Sequence, residues 1–153
     1  AGYREMLAAA GIDPDPEWIV EGNGRPEGGE WGLQRLLASS RRPTAVFCYN
    51  DMTAIGALKA ARAAGLRVPE DLSVVGFDDI LFAAYTEPPL TTVAQPKYEM
   101  GRTAMGLLLR LLEGEQAPVH LRLPCRLVER ASCAPPPQER PVRSLSFDER
   151  RLP

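Results

Sequence analysis

Apolar positions in the first ten residues recur at helical spacing. Tyr3, Met6, Leu7 and Ala10 fall at i, i+3, i+4 and i+7, and Gly11 stands where a left-handed C-terminal cap belongs. This predicts an amphipathic helix. The short run Trp18-Ile19-Val20-Glu21 predicts a strand, followed by a loop at Gly22-Asn23-Gly24-Arg25. Pro26 suits the first position of a second helix with Leu33, Leu36 and Leu37 as its buried stripe, and Pro43 closes that segment. Thr44-Ala45-Val46-Phe47-Cys48 is continuously apolar, the pattern of a strand covered on both faces. Asn50 or Asp51 then caps a helix that turns Ile55, Leu58 and Ala61 inward and stops at Gly65. A second strand-like run, Leu72 to Phe77, begins about 30 residues after the first, the length of one strand-helix-strand unit with parallel strands. Such alternation predicts an α/β fold built on a parallel sheet.

Beyond Asp78 and Asp79 the chain turns at Pro88-Pro89, extends through Thr91 to Ala94, and enters a long helix from Pro96 to Glu113 capped by Gly114. On that helix Met100, Ala104, Leu107 and Leu111 form one stripe, and Met105, Leu108 and Leu112 widen it beyond what one sheet covers. Two readings follow: a deeply buried helix, or a helix shared with a second subunit. Val119 to Leu123 and Arg126 to Ala131 predict two closing strands joined at Pro124. From Ala134 on, Pro135-Pro136-Pro137 and mixed charges leave too little apolar material for a core, so a disordered tail is expected over 135–153.

Composition narrows the class. At 153 residues and 44% apolar, the chain is one domain's worth and is long enough to bury about 70% of its unfolded surface. No apolar run approaches the roughly 18 residues of a membrane helix, so no membrane partner is expected. Eighteen basic against twenty acidic side chains leave a net charge of -2, no electrostatic footprint for a phosphate backbone. Three cysteines, Cys48, Cys125 and Cys133, form no CxxC or Cys/His cluster, so they read as small apolar residues in a reducing cytosol, and no metal or cofactor is implied. The opening Ala1-Gly2-Tyr3-Arg4 has neither an initiator Met nor a signal-peptide profile, and reads as a point inside a longer chain.

Candidate chemistry follows from the sheet. In open parallel sheets ligands bind just past the carboxyl ends of the strands. Asn23 follows the first predicted strand, Asn50 and Asp51 the second, and Asp78 with Asp79 the third, so all five belong at one rim. Carboxylates and carboxamides pair with vicinal hydroxyls, which favours a polyol ligand. The plainer readings stand beside this: Asn50 or Asp51 as a helix cap, and Asp78 and Asp79 as loop residues satisfied by backbone N–H groups. His120 is the single histidine, in a predicted strand, and suits packing better than catalysis. No GxSxG, GxGxxG or GxxxxGK[ST] occurs, and Asp78-Asp79 lacks the DxD spacing of a magnesium phosphatase, so no enzyme is expected.

The stretch Arg42 to Leu58, with Asn50-Asp51 at its centre, resembles the lac/gal repressor family's strand and helix around its Asn-Asp pair. Gly65 to Asp79, Pro89 to Pro96 and Leu127 to Ser132 follow in that family's order, so the resemblance spans Ala1 to about Cys133. It implies a periplasmic-binding-protein-like core (type I) of two α/β lobes that clamp a sugar or nucleobase between them and signal to an N-terminal helix-turn-helix. Residues 1–134 would be an incomplete effector-binding core, mostly the C-terminal lobe. Residues 95–117 would cross to the missing lobe, and the DNA-binding head would lie outside this chain. Carried over by motif, Asn50 and Asp78 contact ligand hydroxyls, Gln95 sits at the crossover beside the ligand, and Asp51 is their neighbour. An aromatic that stacks on ligand in the family is replaced here by Asn23-Gly24-Arg25, which leaves Tyr49 or the absent lobe to stack. The long helix implies a homodimer through Met100, Ala104, Leu107, Leu108 and Leu111. The whole protein would be a cytoplasmic repressor that binds operator DNA and senses a small sugar-like effector. The competing class is a periplasmic sugar-binding protein of a transporter, which shares the fold and the strand-end acids. A flavodoxin-like or phosphatase-type enzyme is a more distant alternative.

Overall fold

The computed structural model describes residues 2–13, 15–115 and 120–136. Helix α1 (Gly2–Ala9) and helix α2 (Pro26–Leu37) precede strand β1 (Ala45–Phe47). Helix α3 (Asp51–Ala63), strands β2 (Ser73–Asp78) and β3 (Thr91–Ala94), helix α4 (Lys97–Leu112) and strand β4 (Arg126–Val128) follow. The four strands form one sheet in the order β1-β2-β3-β4, with the first two pairings parallel and β3–β4 antiparallel. The α/β class and the mainly parallel sheet agree with the periodicity of the chain.

Local chemistry explains the element ends. Gly11, Gly65 and Gly114 adopt φ of 69°, 73° and 82°, the left-handed cap that ends a helix with no Cβ penalty. Pro26 occupies the first turn of α2, where a missing N–H costs nothing. The core lies between α2, α3 and β2, with Leu33, Ala57, Leu58, Leu72 and Val74 buried in it. At the other end of the sheet Ser132 splices the returning chain into the parallel strands: its Oγ accepts from Thr91 N at 2.8 Å and donates to Val74 O at 2.6 Å, while its carbonyl accepts from Val74 N at 2.9 Å.

Four expectations are corrected. Trp18 to Glu21 is not a strand: a 3-10 turn covers Pro16–Trp18, and Ile19–Glu21 runs irregularly, because a strand needs a neighbouring backbone ladder and none pairs with it here. The strand predicted over Val119 to Leu123 is absent from 120–123, so His120 is in irregular chain; Val119 lies outside the described residues. β1 is not covered on both faces. It is an edge strand of the sheet, and Ala45 and Phe47 are exposed. Finally, α4 is not a deeply buried helix, since it has no buried residue and leaves Met105, Leu108, Leu111 and Leu112 open. Just before the expected tail, Ala134 is tied to β2 by its N–H donating to Ser73 Oγ at 3.1 Å; of the tail itself, 137–153 lie outside the described residues. No helix among the described residues is long and apolar enough to cross a membrane.

Candidate functional site

Because β1, β2 and β3 run parallel, the chain leaves all three at the same edge of the sheet. Cys48 N still bonds Val75 O at 2.8 Å, and the chain then turns through Tyr49 into α3. Asn50 caps that helix: its Oδ1 accepts from Thr53 N at 2.8 Å, satisfying one of the orphan donors of the first turn. Its Nδ2 donates to Gly24 O at 2.9 Å, drawing the 22–25 loop to the rim. Asn23 is exposed and closes that loop on itself, its Oδ1 accepting from Arg25 N at 3.0 Å. Tyr49 is 80% exposed, with its ring beside Gly24.

Asp78 ends β2 and pairs in register with Ala94, so the next residue of β3's exit, Gln95, stands beside it. Gln95 Nε2 donates to Asp78 Oδ1 at 2.5 Å. Asp78 and Asp79 carry φ of 112° and 52°, the positive-φ pair among the described non-glycine residues. Such backbone costs about 1–3 kcal/mol per residue and persists only where the surroundings impose it. Here they do. Arg130 Nη2 pairs with Asp79 Oδ1 at 2.6 Å and Nη1 donates to Leu90 O at 2.8 Å, and Lys97 Nζ reaches Asp79 O at 3.3 Å.

Asp51 takes a different place from its neighbour Asn50. It is fully buried, with Oδ1 accepting from Thr92 Oγ1 at 2.5 Å and Oδ2 from Ile80 N at 2.8 Å. The structure thus brings Asn50, Asn23 and Tyr49 together on one side of the edge, and Asp78 with Gln95 on the other, and puts Asp51 beneath them. Arg130 and Thr92 lie in stretches that carry the family resemblance, but nothing in the sequence marked them as residues of the site. A hydroxyl in the middle of a short buried strand and an arginine in a closing strand were the available signals.

Burial, and secondarily the Asp51 carboxylate, pushes the Cys48 thiol up to about 12, so at neutral pH it is a packing residue and no nucleophile. Cys125 is exposed and Cys133 half-buried. Among the described residues no group of three or more His, Cys, Asp or Glu could hold a metal ion. A cavity of about 880 Å³ lies elsewhere, between the irregular 18–22 segment, α2 and the outer edge of β1. Trp18, Val20, Leu36 and Val46 line it; Tyr49 touches it, and Asp78 and Gln95 do not. Its apolar walls suit packing, whereas the open polar edge suits a hydroxylated ligand.

The periplasmic binding protein-like domain family matches residues 1–133. The transcriptional repressor CytR of Escherichia coli (strain K12) is 47% identical over 132 residues, which are 86% of this chain and 39% of that protein. The ribose operon repressor of Haemophilus influenzae is 49% identical over 112 residues, 73% of this chain and 34% of that protein. Among solved structures, a complex of the transcriptional regulator CelR with cellobiose superposes with a TM-score of 0.79 at 40% identity, covering 86% of this chain and 40% of that one. The Escherichia coli transcriptional repressor ascG superposes at 0.77 with 38% identity, covering 88% and 49%. This chain therefore spans less than half the length of these relatives. By sequence and by fold it belongs to the periplasmic binding protein-like domain family, in the form that lac/gal-type transcriptional repressors carry as their effector-binding domain.

Proposed function

We propose that this chain is the effector-binding part of a cytoplasmic transcriptional repressor, and that its ligand is a small sugar or related polyol, with a nucleobase as the other ligand class of that shape. The carrying observation is the Asp78–Gln95 pair, held by imposed backbone at the carboxyl edge of the sheet. A carboxylate and a carboxamide side by side accept and donate to adjacent hydroxyls. Asn50 contributes its remaining amide hydrogen from the neighbouring strand end, and Asn23 and Tyr49 border the same mouth, Tyr49 as the stacking face. Relatives bearing the names ribose operon repressor and CelR–cellobiose complex support a sugar. Their being repressors favours this reading over a transport protein and gives no reason to assign catalysis.

Residues 95–117 cross to a second lobe in this reading, and the ligand is clamped between the lobes. Ligand then stabilises one arrangement of the lobes and shifts the affinity of a helix-turn-helix, outside this chain, for operator DNA. A coupling of this kind is typically worth about 1–3 kcal/mol. Asp78→Asn in the intact repressor is expected to weaken sugar binding at least about 10-fold by calorimetry, about 1.4 kcal/mol, while operator affinity stays unchanged. Unaltered sugar affinity overturns the site.

The same protein acts as a homodimer through α4. The helix shows an apolar face, Met100, Ala104, Leu107, Leu108 and Leu111, none of it buried: Leu107 is half-buried near Leu121 and the other four are exposed. A face of that kind is a partner surface. Leu111→Asp is expected to move the intact protein from dimer to monomer mass in sedimentation equilibrium at micromolar concentration. A dimer unchanged by Leu111→Asp and by Leu108→Asp removes α4 from the interface.

A further inference from the structure

We propose that Asp51 is a positioning residue of the effector site: without touching ligand, its buried carboxylate holds the Asp78–Asp79 turn in its left-handed conformation and so places the Asp78 carboxylate. The proposal rests on the effector-site reading of Asp78 and deepens it.

Three features distant in sequence converge on this carboxylate. Oδ2 accepts directly from the N–H of Ile80, the first residue after the turn. Oδ1 accepts from Thr92 Oγ1, and the same hydroxyl lies 3.4 Å from Asp79 N, whose hydrogen it accepts. Asp51 therefore grips two successive amides, one directly and one through a hydroxyl relay. Gly76 completes the device, since a Cβ there would lie 2.2 Å from Asp51 Oδ1, so β2 can approach the carboxylate only as glycine.

Each contact bears on the geometry of Asp78. Its φ of 112° is unfavourable for a residue with a Cβ, so the turn relaxes unless it is held from both sides. Arg130 holds the side chain of Asp79, and Asp51 holds the amides that follow Asp78. Only with the turn held does Asp78 Oδ1 stay beside Gln95 Nε2. Asp51 itself has no exposed surface, and both its oxygens are engaged away from solvent. A ligand at the rim reaches Asp78 and Gln95 first.

The chemistry of the carboxylate makes the role testable. Asparagine has nearly the same shape, but one of its two terminal atoms becomes an NH2, which must face either the Ile80 N–H or the Thr92 hydroxyl. Facing Ile80, it sets donor against donor. Thr92→Val removes the relay at constant volume, and Thr92→Ser retains the hydroxyl.

The experiment determines crystal structures of the ligand-free intact repressor as wild type, Asp51→Asn, Thr92→Val and Thr92→Ser. It then titrates each with D-ribose and with cellobiose well below the unfolding temperature. In Asp51→Asn and Thr92→Val the Asp78–Asp79 turn is expected to leave its positive φ and the Gln95–Asp78 bond to open, with sugar affinity down about 10-fold. Thr92→Ser restores both, and operator affinity is unchanged throughout. A purely structural role would lower the melting temperature of Asp51→Asn and Thr92→Val and leave affinity below it intact, which overturns the proposal. An unmoved turn in Asp51→Asn overturns it whatever the sugar does, and an unmoved turn with lost affinity would make Asp51 a contact residue. If wild type binds neither sugar while the turn still collapses, the sugar assignment fails and the positioning role stands.

Discussion

Gly56→Ala is expected to lower the stability of the protein by about 3 kcal/mol, and Gly29→Ala by a similar amount. The two helices α2 and α3 cross at glycine. A Cβ at Gly56 would lie 1.8 Å from the carbonyl oxygen of Pro26, and one at Gly29 would lie 1.9 Å from that of Thr53. Both obstacles are backbone, so no side-chain rotation relieves them and the helices must separate. Alanine recovers roughly 1 kcal/mol of helix propensity over glycine, which is too little to offset the loss of the helix-helix core around Leu33 and Ala57. Because either substitution forces the same separation, the double variant loses less than the sum of the two. Urea unfolding followed by circular dichroism measures all three, with unchanged slope if the native fold persists. A single-variant loss under about 0.5 kcal/mol would show that the crossing is not this tight.

Leu72→Ala is expected to cost about 2–5 kcal/mol of stability. Leu72 is 1% exposed, directly precedes β2 and packs in the cluster that joins α3 to the sheet. Removing three carbons there forfeits transfer energy and leaves a void that the surrounding backbone cannot close. Leu81→Ala is the matched control. Its side chain is 73% exposed, and such substitutions fall within about 0.5 kcal/mol. A loss at Leu72 no greater than at Leu81 would mean that the core is not centred on this side of α3.

Part of the geometry was legible from one rule. Polar residues just past the ends of parallel strands belong together, and Asn50 and Asp78 do stand at one edge of this sheet, while Gln95 beside Asp78 was indicated by the family resemblance and not by the rule. What each does there was not legible. Asn50 and Asp51 are both good capping types, and adjacent residues at a helix start point about 100° apart, so one can cap while the other turns beneath the helix. Which one caps is decided by what lies beneath: Thr92 and the Ile80 amide offer two donors to Asp51 from elements 29 and 41 residues away. No local pattern contains them.

The same division runs through the fold. Helix ends were fixed locally, because left-handed glycine at Gly11, Gly65 and Gly114 acts within one turn of chain. Strand identity at β2 was carried by a largely apolar run and at β3 by a short β-branched stretch, each with a partner strand on both sides. The run at Trp18 to Glu21 has similar composition yet forms no strand, since a ladder requires a second backbone. The apolar stripe of α4 was plain in the sequence too, but a stripe specifies only that a face seeks cover. The sequence by itself determined where the helices begin and end and which residue types follow the parallel strands, because those depend on period and backbone freedom. Tertiary structure decided which of two adjacent acids and amides is buried, which strand is an edge, and which apolar face stays open, because burial is a property of the partner as much as of the residue.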